Sequence, residues 1–309
     1  MPKVAIVQES SVLLDREKTI DKAVLMIEQA VANGAKLVVF PETFISGYPA
    51  WIWRLRPGGD WGACESLHAR LLESAVDLSA DQLAPIREIA KKHAITVVCG
   101  LNERDGSSAT IYNSVVIIGA DGEIQNRHRK LMPTNPERMV WGFGDGTGLN
   151  VVNTSCGRVG TLICWENYMP LARYSLYAQG IEIYIAPTYD SGDGWIGTLQ
   201  HIAREARCWV LSSGVIMANS DIPDDFPDRE TLYPHSEDWI NPGDSAVIAP
   251  GGEIVTGPMH QEKGVLYADV DPERAAVAKH ALDVVGHYAR PDIFTLHVNR
   301  QPQRPIAFE

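Results

Sequence analysis

Short apolar segments alternate with amphipathic helical segments along most of this sequence. Residues 4–8 and 36–40 are apolar and strand-like, and between them apolar residues recur at helical spacing. Residues 95–99, 181–186 and 209–215 are similar strand-like segments, each preceded by a helical pattern. A strand, an amphipathic helix and a further strand in that order are typical of a β-α-β unit. The alternation therefore predicts an α/β protein.

Other strands are predicted to pair directly through tight turns. Residues 112–119 and 123–129 flank Asp121-Gly122, and residues 245–250 and 253–256 flank Gly251-Gly252. Both arrangements indicate β-hairpins. Because hairpins and helix-linked strands are mixed along the chain, we expect a mixed sheet, or two stacked sheets, covered by helices.

The predicted elements leave no linker, repeat or low-complexity segment that divides the chain, so we expect one domain over residues 1–309. Ser79-x-x-Gln82 is typical of a capping box at the start of a helix, and a last helix is predicted over residues 272–282. Residues 51–65 and 218–242 lack periodicity, which is typical of lids, partner contacts or mobile segments.

Charge and cysteine usage exclude several classes of function. The net charge is -12 and the isoelectric point is about 5.2, so no overall positive field favours nucleic acid. The sequence starts directly with a strand pattern rather than a signal peptide, and no apolar run approaches the roughly 18 residues of a membrane span. Five cysteines without a C-x-x-C pair argue against disulfides and zinc. We expect a cytoplasmic protein without a metal or an organic cofactor.

Cys164 ends an apolar, strand-like segment and precedes a probable helix. The carboxyl end of a buried strand is where open α/β sheets bind ligands. A nearby helix N-terminus would favour the thiolate form of the cysteine. Cys164 is therefore a candidate nucleophile, and the alternative is a buried structural cysteine.

Two charged residues occupy comparable positions. Glu42 follows the predicted strand over residues 36–40, and Lys130 ends the second strand of the first hairpin. Taken singly, Glu42 is more typical of an ion-paired or capping acid, and Lys130 of a solvated basic run. Together with Cys164 they supply a nucleophile, a proton shuttle and a fixed cation, which addition of a thiol to an unsaturated carbon requires.

These three residues lie in motifs that resemble the nitrilase family of carbon-nitrogen hydrolases. The motifs are Phe-Pro-Glu-Thr-Phe around Glu42, His-Arg-Lys-Leu-Met-Pro-Thr around Lys130 and Cys-Trp-Glu-Asn from Cys164. The segments at residues 137–146 and 287–292 resemble the branch that acts on true nitriles. The resemblance implies a four-layer α-β-β-α sandwich, a homo-oligomer (a dimer or larger, possibly a spiral) with residues 293–309 as a tail in its contacts, and a second active-site glutamate, Glu137.

The resemblance also implies a mechanism. Glu42 would take the proton of Cys164 and deliver it to the nitrile nitrogen, and Lys130 would stabilise the tetrahedral intermediate. Glu137 would position Lys130, or alternatively assist a water molecule. Residues that could contact a small nitrile substrate are aromatic or lie close to these motifs, and each has ordinary packing as its alternative: Tyr48, Thr134, Trp141, Trp165 and Tyr189.

Other functions stay open on the sequence alone. The same three residues could hydrolyse an amide or a carbamoyl group, since the acyl-thioester half of the reaction is shared, and cyanide could be the substrate. A catalytically silent binding member of the fold is a third possibility.

Overall fold

Two β-sheets form the centre of the protein, for which the computed structural model describes residues 1–56, 58–106, 108–234, 238–303 and 306. The first sheet has the order β13-β1-β2-β3-β4-β5, with β1, β2 and β3 parallel and the other pairs antiparallel. Its strands are β1 (Lys3–Gln8), β2 (Ala35–Val39), β3 (Thr96–Arg104), β4 (Ile111–Ile118), β5 (Ile124–Arg129) and β13 (Gly264–Asp269).

The second sheet has the order β10-β11-β9-β8-β7-β6, and a further strand, β12, pairs with β11. The pairs β7-β8 and β8-β9 are parallel. The strands are β6 (Val152–Thr154), β7 (Gly157–Thr161), β8 (Ile183–Thr188), β9 (Trp209–Gly214), β10 (Ile216–Ala218), β11 (Trp239–Ile248) and β12 (Ile254–His260).

Helices cover the outer faces of the two sheets. In β1, Val4 and Ile6 face the space between the sheets, whereas Ala5 and Val7 pack with residues of α1 and α3. The alternation follows from the period of two in a strand, and both sets of side chains are apolar because both faces are covered. The helices are α1 (Arg16–Ala32), α2 (Trp61–Ser74), α3 (Ala84–His93), α4 (Pro170–Tyr177), α5 (Asp193–Ala206), α6 (Arg229–Leu232) and α7 (Pro272–Ala278).

The second sheet is covered in the same way. Ile183 and Ile185 of β8 contribute to the core between the sheets, and Tyr184 and Ala186 pack with residues of α4 and α5. The order helix, sheet, sheet, helix confirms the predicted α/β class with mixed sheets in four layers. None of the helices in the described residues has the length and apolar character needed to cross a membrane.

Several local predictions were wrong. Ser79 does not cap a helix: Asp77 caps a single 3-10 turn there, and α3 begins only at Ala84. The late helix ends at Ala278 rather than at residue 282. The stretch over residues 51–65 contains a 3-10 turn and the start of α2. The stretch over residues 218–242 contains α6 and the first residues of β11. Residues 57 and 235–237 of these stretches lie outside the described residues.

Candidate active site

Cys164 lies at a sharp turn just beyond the carboxyl end of β7. It begins a 3-10 turn, Cys164–Tyr168, and has φ of 52°, a left-handed conformation that is uncommon for a residue other than glycine. The Asn167 amide supports the turn by donating to the carbonyl oxygens of Leu162 (3.1 Å) and Cys164 (2.7 Å). Cys164 is 5% exposed and lines a cavity.

Glu42 follows β2 in a turn that lies against β3. A Cβ added to Gly100 of β3 would come within 2.2 Å of the Pro41 carbonyl oxygen, so only glycine allows this close approach. The Glu42 carboxylate is buried and accepts hydrogen bonds from Asn113 Nδ2 (2.7 Å) and the Tyr189 backbone N–H (2.6 Å). The second bond crosses from one sheet to the other, because Tyr189 follows β8.

Lys130 follows β5 and lies between two carboxylates. Its Nζ is 2.9 Å from Glu42 Oε1 and 2.7 Å from Glu137 Oε2, and all three side chains are buried. Glu137 is itself fixed by hydrogen bonds from the Tyr48 hydroxyl (2.7 Å) and the Thr134 backbone N–H (2.6 Å). The structure thus brings together Glu42, Lys130 and Glu137 through direct ion pairs.

Burial and charge set the protonation of this cluster. Burial raises the pKa of Cys164 to about 12, the Glu42 charge adds to the rise, and Lys130 opposes it. Burial also raises the pKa of Glu42, although Lys130 favours its carboxylate form. Burial acts to lower the pKa of Lys130, but the charges of Glu42, Cys164 and Glu137 outweigh it and raise that pKa.

Sequence analysis expected a helix N-terminus to favour the thiolate of Cys164, whereas burial and the Glu42 charge raise the pKa of this thiol in the structure. Cys164 begins a short 3-10 turn, and the following α-helix starts only at Pro170. Reaction at Cys164 consequently requires a base that accepts its proton.

The Thr188 hydroxyl makes a direct contact with the sulfur. Thr188 Oγ1 lies 3.4 Å from Cys164 Sγ and accepts a hydrogen bond from the Asp190 backbone N–H (2.8 Å). With that N–H directed at an oxygen lone pair, the hydroxyl hydrogen is free to point at the sulfur. Sequence analysis did not assign Thr188 a catalytic role.

A further buried carboxylate connects the turn at Cys164 with the end of β5. Glu166 accepts hydrogen bonds from the backbone N–H groups of Ile163 (2.7 Å) and Leu131 (2.6 Å), the neighbours of Cys164 and Lys130. His128 Nε2 lies 3.1 and 3.0 Å from the two Glu166 oxygens. Glu166 therefore fixes the separation of the nucleophile turn from the lysine.

The cavity at Cys164 has a volume of about 330 Å³. Of the five residues expected to contact a substrate, Tyr48, Thr134, Trp165 and Tyr189 line it. Trp141 lies outside the lining: it is 3% exposed, packs edge-on against the Tyr48 ring at 5.6 Å and donates to Asn102.

Further residues line the cavity that sequence analysis did not identify: Trp53, Asp190, Ser191, Ile240, Asn241 and Pro242. Trp53 belongs to the aperiodic stretch over residues 51–65. Ile240, Asn241 and Pro242 belong to the aperiodic stretch over residues 218–242. The sequence signal that could have identified them was the length of these two stretches.

Within the described residues, no group of three or more His, Cys, Asp or Glu side chains is arranged to hold a metal ion.

Comparisons with known proteins bear on the family of this chain. The sequence model of the family described as carbon-nitrogen hydrolase matches residues 3–280. A bifunctional nitrilase/nitrile hydratase of Lupinus angustifolius is 38% identical over 313 residues, 99% of this chain and 88% of that protein. An aliphatic nitrilase of Sinorhizobium fredii is 38% identical over 305 residues, 98% of this chain and 97% of that protein.

Among solved structures, a carbon-nitrogen hydrolase from Helicobacter pylori G27 superimposes with a TM-score of 0.70 at 21% identity, covering 95% of this chain and 96% of that one. This likeness shows the shared fold. The family match and the similarity to the two nitrilases, each over nearly the whole chain, confirm the resemblance noted in the motifs. The chain belongs to the carbon-nitrogen hydrolase family.

Proposed function

We propose that this protein is a nitrilase, which hydrolyses a small organic nitrile to the carboxylic acid and ammonia. The observation that carries the proposal is the buried cluster of Glu42, Lys130 and Glu137, which meets the cavity at Cys164 through Glu137 and whose charges act on the Cys164 thiol. The 38% identity to proteins named as nitrilases supports the choice of nitriles.

In the first half of the reaction, the thiol adds to the nitrile carbon. Glu42 accepts the proton of Cys164 as the sulfur attacks, and then passes it to the nitrile nitrogen. One C–S bond forms, one C–N π bond is lost, and the product is a covalent thioimidate. A base is required because the thiol has a pKa of about 12.

In the second half, two water molecules are consumed. Glu42 takes a proton from the first water, whose oxygen adds to the thioimidate carbon. Glu42 returns that proton to the nitrogen, the C–N bond breaks, and ammonia leaves to give an acyl-thioester. The second water displaces the sulfur and releases the carboxylic acid.

Glu42 and Glu137 take two of the three N–H donors of Lys130. The third, together with the backbone N–H of Trp165, would stabilise the tetrahedral intermediate; each such donor is typically worth about 3 kcal/mol.

Glu137 has a positioning role in this scheme, since it pairs with Lys130 and is held by Tyr48 and Thr134. The aromatic rings of Tyr48 and Tyr189 stack at 3.8 Å and form one wall for the substrate. Thr134 and Trp165 complete the proposed contacts. For Trp141 we propose support of the Tyr48 ring instead of substrate contact, because it lies outside the cavity lining.

The assembly and location of the protein belong to the same proposal. We propose a single catalytic domain over residues 1–309 that self-associates, with residues 293–309 in the contacts. Large apolar side chains in the tail support this: Ile293 is 57% exposed and Phe294 is 77% exposed. Residues 304, 305 and 307–309 lie outside the described residues. Unpaired cysteines support a cytoplasmic location.

A panel of nitriles and the matching amides, with ammonia detection and mass spectrometry of the products, tests the proposal. We expect carboxylic acid and ammonia from at least one nitrile, with no activity in Cys164→Ala. Turnover confined to amides would overturn the assignment to nitriles. Activity that survives in Cys164→Ala would overturn the mechanism.

A further inference from the structure

Asp190 places a carboxylate in the wall of the cavity. It follows β8, and both of its oxygens are held: Oδ1 accepts from the Ser191 backbone N–H (2.9 Å) and Oδ2 from the Trp165 indole (2.8 Å). Trp165 is the residue next to Cys164. Asp190 is therefore fixed close to the position at which a substrate meets the nucleophile.

The rest of the lining does not balance this charge. Among the described residues that line the cavity there is no lysine, arginine or histidine, and the other carboxylate is Glu137. The cation nearest the nucleophile, Lys130, lies behind the lining and is shared by Glu42 and Glu137. A negatively charged substrate would thus enter a cavity whose fixed charge has the same sign.

We propose that Asp190 restricts this site to nitriles that carry no negative charge, so that the substrates are neutral or cationic. The proposal rests on nitrile hydrolysis as the function of the site. At the effective dielectric constant of a protein surface, a like charge about 10 Å away disfavours binding roughly tenfold. The same repulsion favours departure of the carboxylate product, which is anionic at neutral pH.

The direct test compares two nitriles of similar size, 4-cyanobutanamide and 4-cyanobutanoate. We expect kcat/KM to favour the neutral amide by about tenfold or more, and Asp190→Asn to bring the two values together. Trp165→Phe is the matched control, because it removes a hydrogen bond to the Asp190 carboxylate without removing the charge. That variant should keep the wild-type ratio, whatever happens to its absolute rates. Equal values in the wild type, or an unchanged ratio in Asp190→Asn, would overturn the proposal.

A second test does not depend on nitrile turnover. Iodoacetamide and iodoacetate both alkylate a thiol, and they differ mainly in charge. The ratio of their rates at Cys164, measured by peptide mass spectrometry, should favour iodoacetamide more strongly in the wild type than in Asp190→Asn. If no nitrile is hydrolysed but this difference is found, the proposed function fails and the charge selection stands. If nitriles are hydrolysed and the alkylation ratios are equal, the charge selection fails alone.

Discussion

Replacing Glu42 by glutamine removes the proposed base and keeps the volume of the side chain. Cys164 has a pKa of about 12. At about pH 7.5, only about one such side chain in 3 × 10⁴ carries a thiolate, and the rest are thiols. A positioned general base typically contributes about 10²–10⁴-fold. We therefore expect Glu42→Gln to lower kcat by about 10³–10⁴-fold, with the larger factor as an upper limit because loss of the Glu42 charge itself lowers the pKa of Cys164.

The substitution also has a structural cost that must be separated from the catalytic one. The two Glu42 oxygens accept from Lys130, Asn113 and the backbone of Tyr189, so the new NH₂ group of glutamine faces at least one donor. An unsatisfied buried group costs about 1–3 kcal/mol of stability. Glu103→Gln is a matched control, since Glu103 is equally buried and accepts from the Ser114 hydroxyl and two arginines rather than from Lys130.

Steady-state ammonia release and thermal unfolding, measured on both variants, separate the loss of catalysis from the loss of stability. Both should unfold at a lower temperature than the wild type, and only Glu42→Gln should lose turnover. The reasoning is refuted if Glu42→Gln retains more than about a tenth of the wild-type kcat. It is also refuted if Glu103→Gln loses as much activity as Glu42→Gln.

Three further predictions concern Glu42, Thr188 and Glu166. The acid limb of kcat/KM against pH should lie above the ordinary glutamate value of 4.5, because burial raises the pKa of Glu42 and only its carboxylate form accepts a proton; a limb below that value would contradict this. Thr188→Val should move the pH dependence of Cys164 alkylation to higher pH, because valine lacks the hydroxyl that contacts the sulfur. Thr188→Ser keeps a hydroxyl and should not move it. Identical alkylation profiles in the wild type and in Thr188→Val would assign Thr188 to packing alone. Glu166→Gln should lower kcat with little change in KM, since Glu166 lies outside the cavity lining and acts through the chain around the nucleophile; a change confined to KM would contradict a positioning role.

The three proposed catalytic residues could be predicted from the sequence for a physical reason. Cys164 and Glu42 each follow an apolar segment, and Lys130 ends a hairpin strand that is marked by the Asp121-Gly122 turn. The ends of strands are where such side chains can meet. The same patterns predicted a mixed sheet or two stacked sheets covered by helices, because strands buried on both faces are continuously apolar. The four layers were predicted by the family resemblance.

The contacts that hold the site residues in place could not be predicted from local sequence patterns. Tyr189 donates to Glu42 across 147 residues of sequence and from one sheet to the other, so no local pattern encodes the pair. Asn113 lies within a hairpin strand, where its role depends on which face of the sheet it occupies. Trp53 and Ile240 belong to stretches without periodicity, and their positions depend on tertiary packing.

The raised pKa of the Cys164 thiol could not be predicted from the sequence. Position relative to a helix is visible in a sequence, whereas burial and the charge of Glu42 are properties of the folded chain. An argument from the local dipole alone therefore leaves out the largest effect on this thiol.

The central claim is that the Cys164 sulfur bonds to the substrate carbon during turnover. Acid quenching during steady-state turnover of a good nitrile, followed by peptide mass spectrometry, measures this directly. The account predicts an adduct on the peptide containing Cys164 with the added mass of the thioimidate or the acyl group, and no adduct in Cys164→Ala. Full turnover without any adduct at Cys164, or an adduct on a different residue, would contradict it.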